Sequence, residues 1–185
     1  MGATETKKRI QDAVLDLTME KGIPEINVTE LTKRLCMGRS TFYMYYNSVD
    51  DVIRDIEDSF FEEFDAFFRT RQVQFDDIYF QHPNPMILDT LRFCRERQKI
   101  LGALLDEQRG DPSFRFKIKR LIRQTLYEHA VERRYIEEEE PLKREFLIGG
   151  HFEMFVYIYQ NDLPLDDVDA ALHVYRTLYG PYRIK

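Results

Sequence analysis

The stretch Arg39-Ser40-Thr41-Phe42-Tyr43-Met44-Tyr45-Tyr46 gathers a guanidinium, five hydroxyls and four aromatic rings into eight residues. On a helix, Phe42 and Tyr46 are four apart and share a face, so turning them inward leaves Arg39, Ser40, Tyr43 and Met44 outside. Such a surface suits the reading of duplex DNA from the major groove. The guanidinium of Arg39 matches O6 and N7 of guanine. The hydroxyls of Thr41, Tyr43 and Tyr45 suit phosphate oxygens, and a helix N-terminus adds partial positive charge there. A solvent-exposed aromatic turn would carry the same residues, so the neighbouring elements decide between the two. Other chemistry has little support. His82, His129, His151 and His173 show no metal-type spacing with one another or with acids, and no nucleophile-base motif occurs. No metal site, cofactor or enzymatic activity is therefore expected.

The elements that would position this stretch are legible on either side of it. Residues 5–21 place Ile10, Ala13, Val14 and Leu17 at helical spacing, and Gly22 follows where a left-handed C-cap would end the helix. Asn27 with Glu30 three residues on reads as a capping pair for a second helix of about two turns, whose face holds Val28, Leu31 and Leu35. Cys36-Met37-Gly38 makes the turn, with Gly38 as N-cap of a third helix over 39–46. Three short helices with a tight glycine-containing turn form a helix-turn-helix at 27–46, with recognition helix 39–46.

Downstream, Ser48 and Asp51 cap a fourth helix whose stripe Val52, Ile53, Ile56, Phe60, Phe64, Phe67 and Phe68 runs for about six turns. Residues 72–85, with Pro83-Asn84-Pro85, read as a loop or broken helix. One or two helices span 86–107 with a break at 97–99, and Gly110-Asp111-Pro112 is a stop. Residues 113–135 open with strand-like alternation, but Ile118, Leu121, Ile122, Leu126, His129 and Ala130 keep helical spacing over the longer window. Glu137 to Glu140 read as a solvated acidic loop. Residues 142–161 and 166–179 form two last helices with broad apolar faces, and Gly149-Gly150 allows close helix contact. The fold class expected is all-α, with about nine helices.

The chain has 185 residues, 43% hydrophobic and 32% charged, with net charge -6. No apolar run approaches the roughly 18–20 residues of a bilayer span, and residues 1–9 lack the apolar core of a secretory signal. A cytoplasmic location without membrane contact is expected. Acid in excess argues against a nucleic-acid partner, but the excess is uneven. Residues 1–50 hold 7 basic and 7 acidic residues, leaving 20 basic and 26 acidic downstream. Within 28–47, Lys33, Arg34 and Arg39 face only Glu30, so that segment is locally basic. The run Arg115, Lys117, Lys119, Arg120, Arg123 reads as a solvated helix face. Cys36 and Cys94 suggest neither a disulfide nor a zinc site and are expected to pack as small apolar groups.

Residues 10–52 resemble the DNA-binding domain of the TetR (tetracycline repressor) family of bacterial regulators. The landmarks are Ile10, Ala13, Leu17, Glu20-Lys21-Gly22, Val28-Thr29-Glu30-Leu31, Leu35 and Thr41-Phe42-Tyr43-Met44-Tyr45-Tyr46, the last run being the most specific. The resemblance implies base contacts by Thr29, Arg39 and Ser40, phosphate contacts by Thr41, Tyr43 and Tyr45, and core positions for Phe42 and Tyr46. Three positions depart from the pattern: Thr18 replaces a usual Phe, Gly38 a usual Ser or Thr, and Val49 a usual Lys. That Lys commonly touches phosphate, so one anchor is missing; Asn47 partly substitutes, and a shallow salt dependence is expected. Residues 53–185 resemble the family's ligand and dimerisation domain in length and helix order. Segments 98–125 and 146–178 look more particularly like a Firmicutes-type subgroup, less a Trp usual there.

The resemblance implies a helix-turn-helix domain at 1–50 and a helical ligand-binding and dimerisation domain at 51–185. It further implies a homodimer paired through 142–161 and 166–179, a near-palindromic double-stranded DNA operator, and release, as from a repressor, by a small-molecule effector of unspecified identity. The alternative is an interaction or accessory module of the same fold that has lost operator binding, which the missing Lys and the acidic total favour.

Overall fold

A computed structural model describes residues 2–70, 85–124, 141–161 and 169–170. Among these residues the chain is all-α, with eight α-helices and a short 3₁₀ turn. The helices are α1 (Ala3–Lys21), α2 (Val28–Arg34), α3 (Arg39–Tyr43), α4 (Val49–Thr70), α5 (Pro85–Arg95), α6 (Gln98–Leu104), α7 (Pro112–Ile122) and α8 (Pro141–Gln160). The expected loop at 72–85 except Pro85, which opens α5, the acidic loop at 137–140, His82, His129, His173 and nearly all of the expected helix 166–179 lie outside the described residues. The chain divides into two compact units, Met1–Arg71 with Gly102–Phe114, and Gln72–Leu101 with Arg115–Lys185.

In the first unit α1 packs on α4 and α2, and α2 on α3. The buried face of α1 is Ile10, Ala13, Val14 and Leu17, and that of α4 is Val52, Ile53, Ile56 and Phe60. These are the residues whose helical spacing marked both elements. Thr18 is fully buried, and its hydroxyl donates to the Val14 carbonyl at 2.9 Å. That back-bond removes the cost of an unmet buried hydroxyl.

Gly22 closes α1 with its N–H on the Thr18 carbonyl; its φ of 95 is positive, as a glycine C-cap requires, but ψ 154 takes it out of the left-handed helical well into a region essentially confined to glycine. The chain turns there to meet the segment 105–111. Ile23 N–H donates to the Arg109 carbonyl at 3.0 Å, and a Cβ on Gly22 would stand 3.2 Å from the Arg109 Cα. The same segment is closed by Asp106, whose Oδ1 accepts the N–H groups of Gln108 and Arg109 at 2.9 and 2.8 Å. The stop at Gly110-Asp111-Pro112 separates α6 from α7, with Asp111 Oδ1 accepting the Ser113 N–H at 2.7 Å. Phe114, fully buried, meets Phe60 edge-on at 5.4 Å between ring centroids.

The second unit joins α5 to α8 through the Tyr159 hydroxyl, which donates to the Leu91 carbonyl at 2.9 Å. Its interior holds Leu91, Phe93, Ile148, His151, Phe152 and Phe155. The break between α5 and α6 falls at residues 96–97, where Arg97 donates to the Phe93 carbonyl at 3.0 Å and lies 3.7 Å from the Phe93 ring centroid. The basic run of α7 is more than a solvated face. Arg123 pairs with both carboxylate oxygens of Glu145, and Arg115 sits 3.7 Å from Glu153 and 5.0 Å from the Phe152 ring.

Candidate nucleic-acid interface

The helix-turn-helix begins as its caps predict. The Asn27 side chain accepts the Glu30 N–H at 3.0 Å and starts α2. The Glu30 carboxylate is pulled aside by Lys21, with which it forms an ion pair, so the capping box is closed mainly from the Asn27 side. After α2, Cys36 carries the chain through the left-handed region at φ 51, and its side chain is exposed. The expectation that both cysteines pack as apolar groups holds only for Cys94, which is buried. The tightness of the turn explains the difference. Cys36 N–H donates to the Lys33 carbonyl and Met37 N–H to the Thr32 carbonyl, which points the intervening side chain outward.

Gly38, with no side chain to offer, caps α3 through its carbonyl, which accepts from Thr41 and Phe42. Regular α-helix stops at Tyr43, short of the expected 46; Tyr45 and Tyr46 both donate to the Phe42 carbonyl, tightening the last turn. Ends of short helices commonly tighten in this way. Phe42 is fully buried and Tyr46 nearly so. Burying Phe42 is worth about 1.5–3 kcal/mol, which holds this face inward.

The opposite face is open. Arg39 and Ser40 are exposed, as are Tyr43 at 53% and Met44 at 78%, while Thr41 and Tyr45 are half-buried. Thr29 on α2 is exposed and its hydroxyl accepts from the Arg39 guanidinium, so the structure brings these two residues together. Tyr43 sets its ring edge-on to Phe42 at 5.5 Å. Asn47 is exposed, and its backbone N–H donates to Asp51 at 3.1 Å while the Ser48 hydroxyl accepts the Asp51 N–H at 3.1 Å. That reciprocal cap starts α4. Val49, at the start of α4, is buried.

Two features were not anticipated from sequence. Arg34 of α2 is held by both carboxylate oxygens of Glu20 at 2.8 and 2.6 Å, and this bond holds the Glu20 carboxyl below its usual range. With Lys21 on Glu30, two cations near α3 are thus neutralised. The second feature is a polar cluster behind α3. The Tyr46 hydroxyl donates to Asp55 Oδ2 at 2.6 Å, and Gln11 and Lys7 reach the same oxygen at 3.1 and 3.2 Å. The Tyr46 bond, with Lys7 and Gln11 adding to it, holds the Asp55 carboxyl below its usual range; burial and the Asp55 charge push the Tyr46 phenol up. The available signal was Tyr rather than Phe at 46, since a buried phenol needs a partner.

Among the described residues these features define an all-helical fold with a surface-presented helix-turn-helix and a further helical unit. The same fold occurs in a solved structure of the fatty acid degradation regulator FadR from Bacillus halodurans. The two superpose with a TM-score of 0.69 over 100% of this chain and 99% of that one, at 19% identity, so the likeness is one of fold. No protein-family model and no curated protein matches the chain. Among the described residues no group of three His, Cys, Asp or Glu could hold a metal ion, and no helix is long and apolar enough to cross a membrane.

Proposed function

We propose that the protein is a DNA-binding transcriptional regulator of the TetR type rather than an enzyme, acting in the cytoplasm without a cofactor. The observation that carries this reading is α3, a helix too short to stand alone, anchored by Phe42 and Tyr46 while Arg39, Ser40, Tyr43 and Met44 stay exposed. A core helix would bury both faces; an isolated turn would bury neither. Arg39, Ser40 and Thr29 read base edges in this proposal, and Thr41, Tyr43, Tyr45 and Asn47 contact phosphate.

The protein acts as a homodimer on a near-palindromic operator with half-sites roughly 34–36 Å or a multiple apart. Its subunits pair through 142–161 and 166–179. Support comes from α8, where Leu142, Phe146 and Tyr157 share one face and are exposed at 82, 66 and 58%, and Gly149 has open space around its Cβ direction. The domains are the DNA-binding part at 1–50 and the effector and dimerisation part at 51–185. A small molecule releases the operator by binding one subunit arrangement better than the other. Because FadR regulates fatty acid degradation, acyl-chain compounds are the first effectors to test.

The test is selection of duplexes from a random-sequence pool, followed by gel shift at low salt. Enrichment of a two-fold symmetric sequence is expected; retention of no duplex sinks the reading. Buried Val49 and the neutralised Lys21 and Arg34 favour the rival, an accessory module of this fold without operator binding. Arg39→Ala separates the two readings, leaving duplex affinity unchanged only on the rival.

A further inference from the structure

Three elements meet on a single oxygen behind the exposed helix. Asp55 Oδ2, on α4, accepts the Tyr46 hydroxyl from the end of the recognition segment and both Lys7 and Gln11 from α1. Lys7 Nζ also lies 5.1 Å from the Tyr46 ring centroid, so the cation meets the carboxylate and the ring together. Tyr46 in turn donates its N–H to the Phe42 carbonyl, and the two rings are 6.1 Å apart. These bonds link Asp55 continuously to the helix that bears Arg39, Ser40 and Tyr43. Apolar packing of Phe42 fixes the depth of that helix but is non-directional. A short hydrogen bond to a charged acceptor is directional and can fix its angle.

We infer that Asp55 is a positioning residue for operator recognition: through the Tyr46 hydroxyl it sets the angle at which α3 enters the groove, while Lys7 and Gln11 hold the carboxylate. The inference rests on the DNA-binding reading above. It predicts that loss of the bond harms specific binding far more than non-specific binding, because phosphate contacts tolerate small rotations and bidentate base contacts do not.

The probes are a duplex selected by the wild-type protein and a scrambled duplex of equal length and composition. Tyr46→Phe keeps the ring and deletes the hydroxyl; Asp55→Asn keeps an acceptor but weakens the hold of Lys7. Thermal melts show whether each variant is folded at the assay temperature. Tyr46→Phe is expected to lose about tenfold in affinity for the selected duplex and to stay within about twofold on the scrambled one. Asp55→Asn falls between, and the double variant is no worse than Tyr46→Phe alone, since both act through one bond. Equal losses on both duplexes, tracking the melting temperature, would show a purely structural bond and overturn the inference. So would unchanged selected-duplex affinity in both folded variants. If the wild-type protein selects no duplex, the DNA-binding reading fails and takes this inference with it.

Discussion

Cys36 sits at φ 51, where an L-residue is strained by roughly 1–2 kcal/mol and glycine is not. Glycine also loosens the unfolded chain, at a cost of about 0.4–1 kcal/mol, so Cys36→Gly is expected to stabilise by about 0.5 kcal/mol. Cys36→Val, β-branched at the same backbone angle, should destabilise by about 1–2 kcal/mol. Urea unfolding of the two variants decides it: a Val variant as stable as wild type would mean the turn relaxes without strain. The second thiol behaves oppositely. Burial pushes Cys94 up to about 12, whereas Cys36 is exposed. A thiol reagent at neutral pH should therefore label one cysteine in the native protein and two after denaturation. On the DNA-binding reading proposed above, Arg39 is the residue with the most to lose. Removing its fork should cost about 1–3 kcal/mol at one base position and relax specificity there, read by competition among duplexes varied at that position.

At the scale of elements, the segment 105–111 joins the helix-turn-helix unit by bonds that the sequence does not announce. Arg109 donates to the Met19 carbonyl at 2.6 Å and accepts from Ile23, and Asp106 holds Arg109 at 3.2 Å. Burial raises the Asp106 carboxyl, but the donors from Arg109 and Gln108 outweigh it and leave it below its usual range. Its contribution is therefore full above its unfolded value near 3.8 and is lost as pH falls through the folded one. Asp106→Ala should cost about 1 kcal/mol at pH 7 and progressively less below pH 4, by chemical denaturation across that range. Gly110 is the sharper test, since a Cβ there would lie 2.4 Å from the Leu104 carbonyl oxygen. Gly110→Ala should cost about 1–3 kcal/mol, and an unaltered melting temperature would contradict that geometry. Local signals made the elements legible beforehand: α1, α2 and α4 announced themselves by apolar spacing and caps, and Gly110-Asp111-Pro112 by its stop residues. Phe42 inward and Arg39 outward followed from spacing by four. What stayed hidden depends on side-chain pairing between different elements. Asp55 lies one helix beyond Tyr46, Arg109 lies far from Met19, and Glu20 with Glu30 had to be seen in space to be matched with Arg34 and Lys21.

For the whole molecule, the proposed DNA binding by a symmetric dimer makes salt dependence the informative measurement. In the helix-turn-helix unit, Lys7 pairs with Asp55, Lys21 with Glu30, Arg34 with Glu20 and Arg54 with Asp51. Exposed Lys8 and Lys33 have no acid within ion-pair distance among the described residues, and Arg39 is bonded to a neutral hydroxyl. If the protein binds DNA as the proposed dimer, with Val49 in place of a basic anchor each protomer would bring about two to three cations to the phosphates, and the dimer about four to six. The logarithm of affinity should then fall against the logarithm of salt with a slope of about -4 to -5. The slope depends on pairing as well as on charge. Phe146→Asp, on the exposed face of α8, should split the proposed dimer by placing a carboxylate in the apolar contact proposed there, and sedimentation should then show the monomer. That monomer, engaging one half-site, should bind more weakly and with about half the slope. A wild-type slope near -10 would mean that the acid-bound cations swing out to phosphate on binding. A Phe146→Asp monomer with the full slope would mean that one protomer already makes every phosphate contact, and the two-fold reading of the operator would fall.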